Sequence, residues 1–209
     1  MWIQDTSGEA FDPAAVKPHI SAMTLLKIAR MGHPVLTARA EDVPDPTARE
    51  IRRLVEDMVE TMNDAGGVGL AAPQIHVSRR VIIFNAPRGR SEGGAPETEF
   101  APLTALVNPV IEPLGEEKVL AYEGCLSIPG LTGPVPRFTR IRYRGFSPTG
   151  QPIAREASGF HARVVQHEVD HLDGILFPMR MTDLSLLAFT EELRRHAAAD
   201  PDADGGDDG

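Results

Sequence analysis

The sequence predicts an α+β domain, and three observations carry that expectation. Short β-rich runs recur at 81–84, 105–111, 118–122 and 138–146, whereas only three segments space their apolar residues as helices do. The two kinds of segment do not alternate as strand-helix-strand units, so a parallel sheet is not expected. The most apolar helical segment, 159–172, carries Val164, Val165, Val169 and Leu172 around most of its circumference, as a helix buried on several sides does. The expected architecture is antiparallel sheets packed around this buried helix, with an N-terminal helix and a C-terminal helix beside them.

Residues 1–23 mix small, polar and Pro residues without periodicity and read as an extension of the domain, with Met23 as an alternative start. From Asp45 a helix is expected. Asp45 suits its cap, Pro46 its first turn, and Ile51, Leu54, Val55, Met58 and Met62 repeat at helical spacing until Gly66 and Gly67 end it. A strand at 81–84 precedes a stretch dense in Gly, Pro, Ser and Glu over 87–102, which reads as a long surface loop. Strands follow at 105–111 and 118–122. Over 138–146 Ile141 and Tyr143 alternate with Arg140, Arg142 and Arg144, which sets an apolar face against a charged one, and 147–150 has the composition of a hairpin turn. After the buried helix, a third helix is expected over 183–199. It fades into an acidic tail at 200–209. The body of the domain is thus bounded at 24–185, with the C-terminal helix proper at 186–199.

A length of 209 residues with 42% hydrophobic and 24% charged residues favours one compact domain. A single cysteine excludes an internal disulfide. The formal charge of −9 and a pI near 5.2 argue against a general affinity for nucleic acid or anionic membrane. Five of those charges come from the Asp residues of 200–209, so the body is only mildly acidic and the tail is expected to be solvated and disordered. No apolar run approaches the roughly 20 residues needed to cross a bilayer. The N-terminal residues resemble neither a signal nor a transit peptide, so a cytoplasmic location is expected.

The informative segment is His167-Glu168-Val169-Asp170-His171. Four helical residues advance the chain about 400 degrees and 6 Å, so His167 and His171 stack on one face and can close on one metal ion. Glu168 then stands beside the ion, where it can take a proton from water. The alternative is a helix whose two His merely satisfy local hydrogen bonds; the Val-rich surroundings make that costly without a cation. A third ligand is required. A His six residues after His171 would be one solution, but that position is Phe177. Glu191 lies near the spacing of a thermolysin-like ligand, among residues that look like an exposed, charge-paired helix face. Cys125 is the remaining candidate, although a lone Cys is more often a small buried apolar group. Separately, Gly67 and Gly69, followed by Ala71 and Ala72, permit close approach of main chain. They lack the Lys-Ser/Thr of a phosphate loop and the third Gly of a dinucleotide fingerprint.

Three motifs in order give the chain a resemblance to the peptide deformylases: Gly67-Val68-Gly69-Leu70-Ala71-Ala72-Pro73-Gln74, Glu123-Gly124-Cys125-Leu126-Ser127, and Gln166-His167-Glu168-Val169-Asp170-His171-Leu172. Gly32-His33-Pro34-Val35-Leu36 and Val135-Pro136-Arg137 add to it, so the resemblance spans roughly residues 24 to 180. It implies a catalytic domain over 24–185 that removes the formyl group from new chains beginning with formylmethionine. It also implies one divalent ion per chain, natively Fe2+, held by Cys125, His167 and His171, with Glu168 as general base and acid. Gln74 and the backbone N–H of Leu126 would stabilise charge on the formyl oxygen. Gly69 would pair with the extended peptide, and Val68 and Val164 would line the methionine pocket. A thiolate-ligated iron site is expected to be oxygen-sensitive, with Zn2+, Ni2+ or Co2+ as occupants of purified protein.

The partners implied are nascent formylmethionyl peptides near the ribosome, with no nucleic acid and no membrane. Gly130-Leu131-Thr132-Gly133 lacks a basic residue that some relatives place toward the substrate. Glu123 and Arg137 are expected to pair and hold the Cys loop. The competing readings are a thermolysin-like endopeptidase using Glu191 and a metal-stabilised binding module without catalysis.

Overall fold

A computed structural model describes residues 25–88 and 97–199; the expected extension at 1–23 and the acidic tail at 200–209 lie outside the described residues. The elements run α1 (Arg49–Asp64), β1 (Gly69–Ala71), β2 (Val81–Ala86), β3 (Ala101–Pro113), β4 (Lys118–Cys125), β5 (Ile128–Phe138), β6 (Arg140–Phe146), β7 (Pro152–Ser158), α2 (Gly159–Leu172), β8 (Ala188–Phe189) and α3 (Thr190–Ala199). Two antiparallel sheets result, one in the order β1-β2-β3-β6-β7 and one in the order β4-β5-β8.

The five-stranded sheet is covered on both faces, and β2 shows why its sequence lacks alternation. Val81 and Ile83 pack with Ile51, Met58 and Met62 of α1. Ile82 and Phe84 pack with Val165, Val169 and Leu172 of α2. A strand between two helical layers is apolar at every position. β6 differs: Ile141 and Tyr143 are fully buried in the α2 cluster while Arg140 and Arg144 are exposed, as the alternation predicts. The turn at 147–150 closes as expected, with Ser147 N–H donating to the Gln151 carbonyl. The three-stranded sheet has its own cluster, in which Ile128 and Val135 meet Leu36, Leu176 and Phe177.

α2 has the bounds that the sequence predicts, and ten of its residues are buried. α1 starts four residues later than Asp45. The Asp45 carboxylate instead accepts from the Thr47 N–H and hydroxyl in a turn, and the helix begins at Arg49. α3 begins at Thr190 rather than at 183 or 186. Asp183 caps a short turn at Leu184–Leu186, and Ala188 and Phe189 then pair with Thr132 and Leu131 of β5, which holds the chain extended. β5 itself has no counterpart among the strands expected from sequence. Among the described residues, no helix is long and apolar enough to cross a membrane.

Candidate metal centre and active site

α2 is buried between the two sheets, and its His167 and His171, one turn apart, present their rings side by side with centroids 4.9 Å apart. Cys125, the last residue of β4, reaches the same point: its Sγ lies 3.3 Å from His171 Nε2. Ligand atoms of Cys125, His167 and His171 all fall within 4.8 Å of one another. Glu191 is not part of the group. Its carboxylate is three-quarters exposed and pairs with Arg195 on α3.

A carboxylate fixes the imidazole nearest β4. His167 Nδ1 donates to Glu123 Oε2 at 2.8 Å, which leaves Nε2 as the ligand atom turned toward Cys125 and His171. Glu123 is buried, which alone would raise its pKa. Hydrogen bonds from His167 and Arg137 outweigh that and hold it at about 2. The expected Glu123–Arg137 pair is bidentate, with Arg137 Nε 2.9 Å from Oε1 and Nη2 3.0 Å from Oε2. Arg137 also reaches Asp170, next to His171, and Arg180 closes on the other side of that carboxylate at 2.7 Å. The roles of Asp170, Arg180 and Arg163 were not legible in the sequence.

The residues fit a bound cation. One cysteine sulfur and two imidazoles within 4.8 Å of one another could hold a first-row ion as three protein ligands, the number that catalytic sites of this kind use. In addition, Glu168 Oε2 beside them is buried without a hydrogen-bond partner among the described residues, a polar atom that the protein alone leaves unsatisfied. Burial pushes the Glu168 carboxyl up to about 7.

A cleft of about 610 Å³ opens onto this centre, lined on one side by residues 65–69 and on the other by 122–126, with Val164, His167 and Glu168 of α2 at its floor. A family model for polypeptide deformylase matches residues 25–186. Peptide deformylase 1 of Bordetella pertussis is 51% identical over 177 residues, which cover 85% of this chain and 98% of the relative. The chain belongs to the peptide deformylase family.

Solved deformylases share the fold. The Ehrlichia chaffeensis enzyme in complex with actinonin superposes with a TM-score of 0.71 at 31% identity, over 86% of this chain and 99% of that one. The Met-Ala-Ser-bound class I type b enzyme of Acinetobacter baumannii gives 0.67 at 36% identity, over 75% and 99%. The chain is therefore a hydrolase that removes the N-formyl group from nascent peptides, and its family is metal-dependent.

The remaining residues expected at the deformylase site border the same cleft: Val68, Gly69, Gln74, Leu126 and Val164. Gln74 is held rigidly. Its Oε1 accepts from the Ala71 N–H at 2.8 Å, which orients the Nε2 group toward Ser127 Oγ at 3.2 Å and Cys125 Sγ at 3.6 Å. Gly69 has a role beyond main-chain pairing. A Cβ there would stand 2.2 Å from Glu168 Oε1, so the absence of a side chain makes room for that carboxylate.

Proposed function

We propose that this chain deformylates nascent formylmethionyl peptides by metal-assisted hydrolysis, with Cys125, His167 and His171 holding one divalent ion and Glu168 moving the protons. The observation that carries the reading is the meeting of three ligand atoms within 4.8 Å beside a buried carboxylate oxygen that has no partner among the described residues. The ion, natively Fe2+ with Zn2+, Ni2+ or Co2+ as substitutes, supplies Lewis acidity, which polarises the formyl oxygen and brings the pKa of water toward about 7.

The protein's own groups do the rest. Glu168 accepts a proton from the attacking water at its carboxylate and delivers it to the departing amine nitrogen, which leaves poorly unless protonated. Charge growing on the formyl oxygen is met by the Gln74 amide and the Leu126 backbone N–H; loss of one such donor costs about 3 kcal/mol of barrier. β1 is the end strand of its sheet, which supports pairing of the peptide backbone with Gly69. Val68 and Val164 receive the methionine side chain, so selectivity rests on shape and burial. The substrate places this activity in the cytoplasm near the ribosome, without direct contact to nucleic acid or membrane.

The test is anaerobic hydrolysis of formyl-Met-Ala by iron-loaded protein, read as formate release, with metal analysis on the same sample. One equivalent of metal with turnover is expected. Metal uptake without turnover, retained in the Glu168→Gln variant, would instead identify a metal-stabilised binding module.

A further inference from the structure

We propose that Arg163 is a positioning residue that locks the imidazole-bearing helix to the thiolate-bearing strand. The proposal rests on the metal site described above.

Arg163 lies one turn before His167 on α2, yet its guanidinium donates to residues of the three-stranded sheet. Nη1 donates to Glu123 Oε1 at 2.8 Å, to the Val135 carbonyl at 2.8 Å and to the Ala121 carbonyl at 3.3 Å. Nη2 donates to the Val119 carbonyl at 2.7 Å. Ala121 and Val119 belong to β4, the strand that ends in Cys125, and Val135 belongs to its neighbour β5. The side chain is 12% exposed, with the contacts to Glu123, Val135 and Ala121 partly buried and that to Val119 at the exposed end. One planar fork thus ties the helix supplying two ligands to the strand supplying the third.

Its effect on Glu123 is more specific. Oε1 accepts from Arg137 Nε and Arg163 Nη1, while Oε2 accepts from Arg137 Nη2 and His167 Nδ1. All four acceptor directions of the carboxylate are filled. Arg163 and Arg137 anchor Oε1, which leaves Oε2 to Arg137 Nη2 and His167 Nδ1. Without Arg163 the carboxylate can turn about its remaining bonds to Arg137, and the orientation of His167 Nε2 loosens with it. Arg163 also borders the substrate cleft, so a direct substrate contact is the competing role.

The experiment uses full-length protein loaded with Co2+, as wild type, Arg163→Met and Arg163→Lys. Three readouts are taken: release of Co2+ to a chelator, the visible spectrum of the thiolate-ligated cobalt, and kcat and KM on formyl-Met-Ala. Arg163→Met should release cobalt faster than wild type, by less than the roughly 10- to 100-fold in affinity that loss of a direct partner of a metal-binding His costs. Its cobalt spectrum should shift, and kcat should fall with KM little changed. Arg163→Lys, which keeps the charge but not the fork, should lie between the two; it carries the test if the Met variant does not fold. A lower melting temperature with unchanged release rate and spectrum would overturn the proposal, leaving a tie that only stabilises the fold. A rise in KM alone would overturn it in favour of substrate contact. Wild-type protein that takes up no cobalt would end the metal-site reading itself, whereas wild type and variants that bind and release it alike would end only the role of Arg163.

Discussion

Replacing Gly69 with Ala is expected to slow turnover sharply while leaving the proposed metal ligands in place. The new Cβ would stand 2.2 Å from Glu168 Oε1, 2.7 Å from Cδ and 2.9 Å from Cγ, where ordinary contacts begin at 3.4 Å. Neither backbone can yield. Gly69 pairs with Phe84 in β1, whose next residues Leu70 and Ala71 are fully buried, and Glu168 sits on the buried helix α2. The Glu168 side chain must therefore retreat by about 1 Å, a displacement that costs on the order of 10² in rate when it moves a catalytic group. Anaerobic kinetics on formyl-Met-Ala should show kcat lower by about 100-fold. KM should change far less, because the N–H and C=O of residue 69 survive the substitution. Metal per chain should equal that of wild type. A variant with wild-type kcat would refute the reasoning, and one that loses its metal would shift the damage from Glu168 to the ligands.

Other outcomes follow from the same geometry. Cys125→Ala should abolish metal binding by elemental analysis and Glu191→Ala should leave it intact; the reverse pattern would restore Glu191 as the ligand. Glu123→Gln puts an NH2 group against donors from Arg137, Arg163 or His167, and chelator competition should show metal affinity lower by roughly 10- to 100-fold. Equal affinity would remove Glu123 from the metal-orienting set. A pH effect on stability is expected from His161, near the start of α2. Its Nδ1 donates to the Thr98 carbonyl, so Nε2 accepts from the Tyr143 hydroxyl, and burial holds the pKa below the ordinary 6.5. The unfolded chain takes up this proton first, so stability present above pH 6.5 is lost as the pH falls, by at most about 1.4 kcal/mol per pH unit. Denaturant midpoints at about pH 7.5 and about pH 5.5, on either side of the ordinary imidazole pKa, should show this extra slope in wild type and not in His161→Gln; equal slopes would count against it.

The sequence made the helix and its metal motif legible because both are local: the spacing of His167 and His171 and the apolar residues around them lie within one element. Cys125 could be assigned only through resemblance, since a strand residue 46 positions before His171 carries no spacing signal. The surrounding charges were less legible still. Arg163, Asp170 and Arg180 have the composition of an ordinary solvated face, and only the packing of α2 against β4 and β5 turns them inward. β5 escaped for a different reason. Pro129, Gly130, Gly133, Pro134 and Pro136 interrupt the β-rich pattern by which a strand is recognised. The strand tolerates its prolines because β8 reaches only Leu131 and Thr132, so Pro134 and Pro136 lie where one flank of β5 carries no partner strand.

The division of the proposed metal ligands between β4 and α2 also sets an order in time. His171 follows Cys125 by 46 positions, so on a ribosome adding roughly 5–20 residues per second the thiol emerges about 2 to 9 seconds before the last imidazole does. During that interval Cys125 is an accessible, oxidisable side chain with neither its helix nor its ion to shield it. An enzyme that acts on chains as they are made therefore completes its own centre only after α2 has emerged and folded against β4.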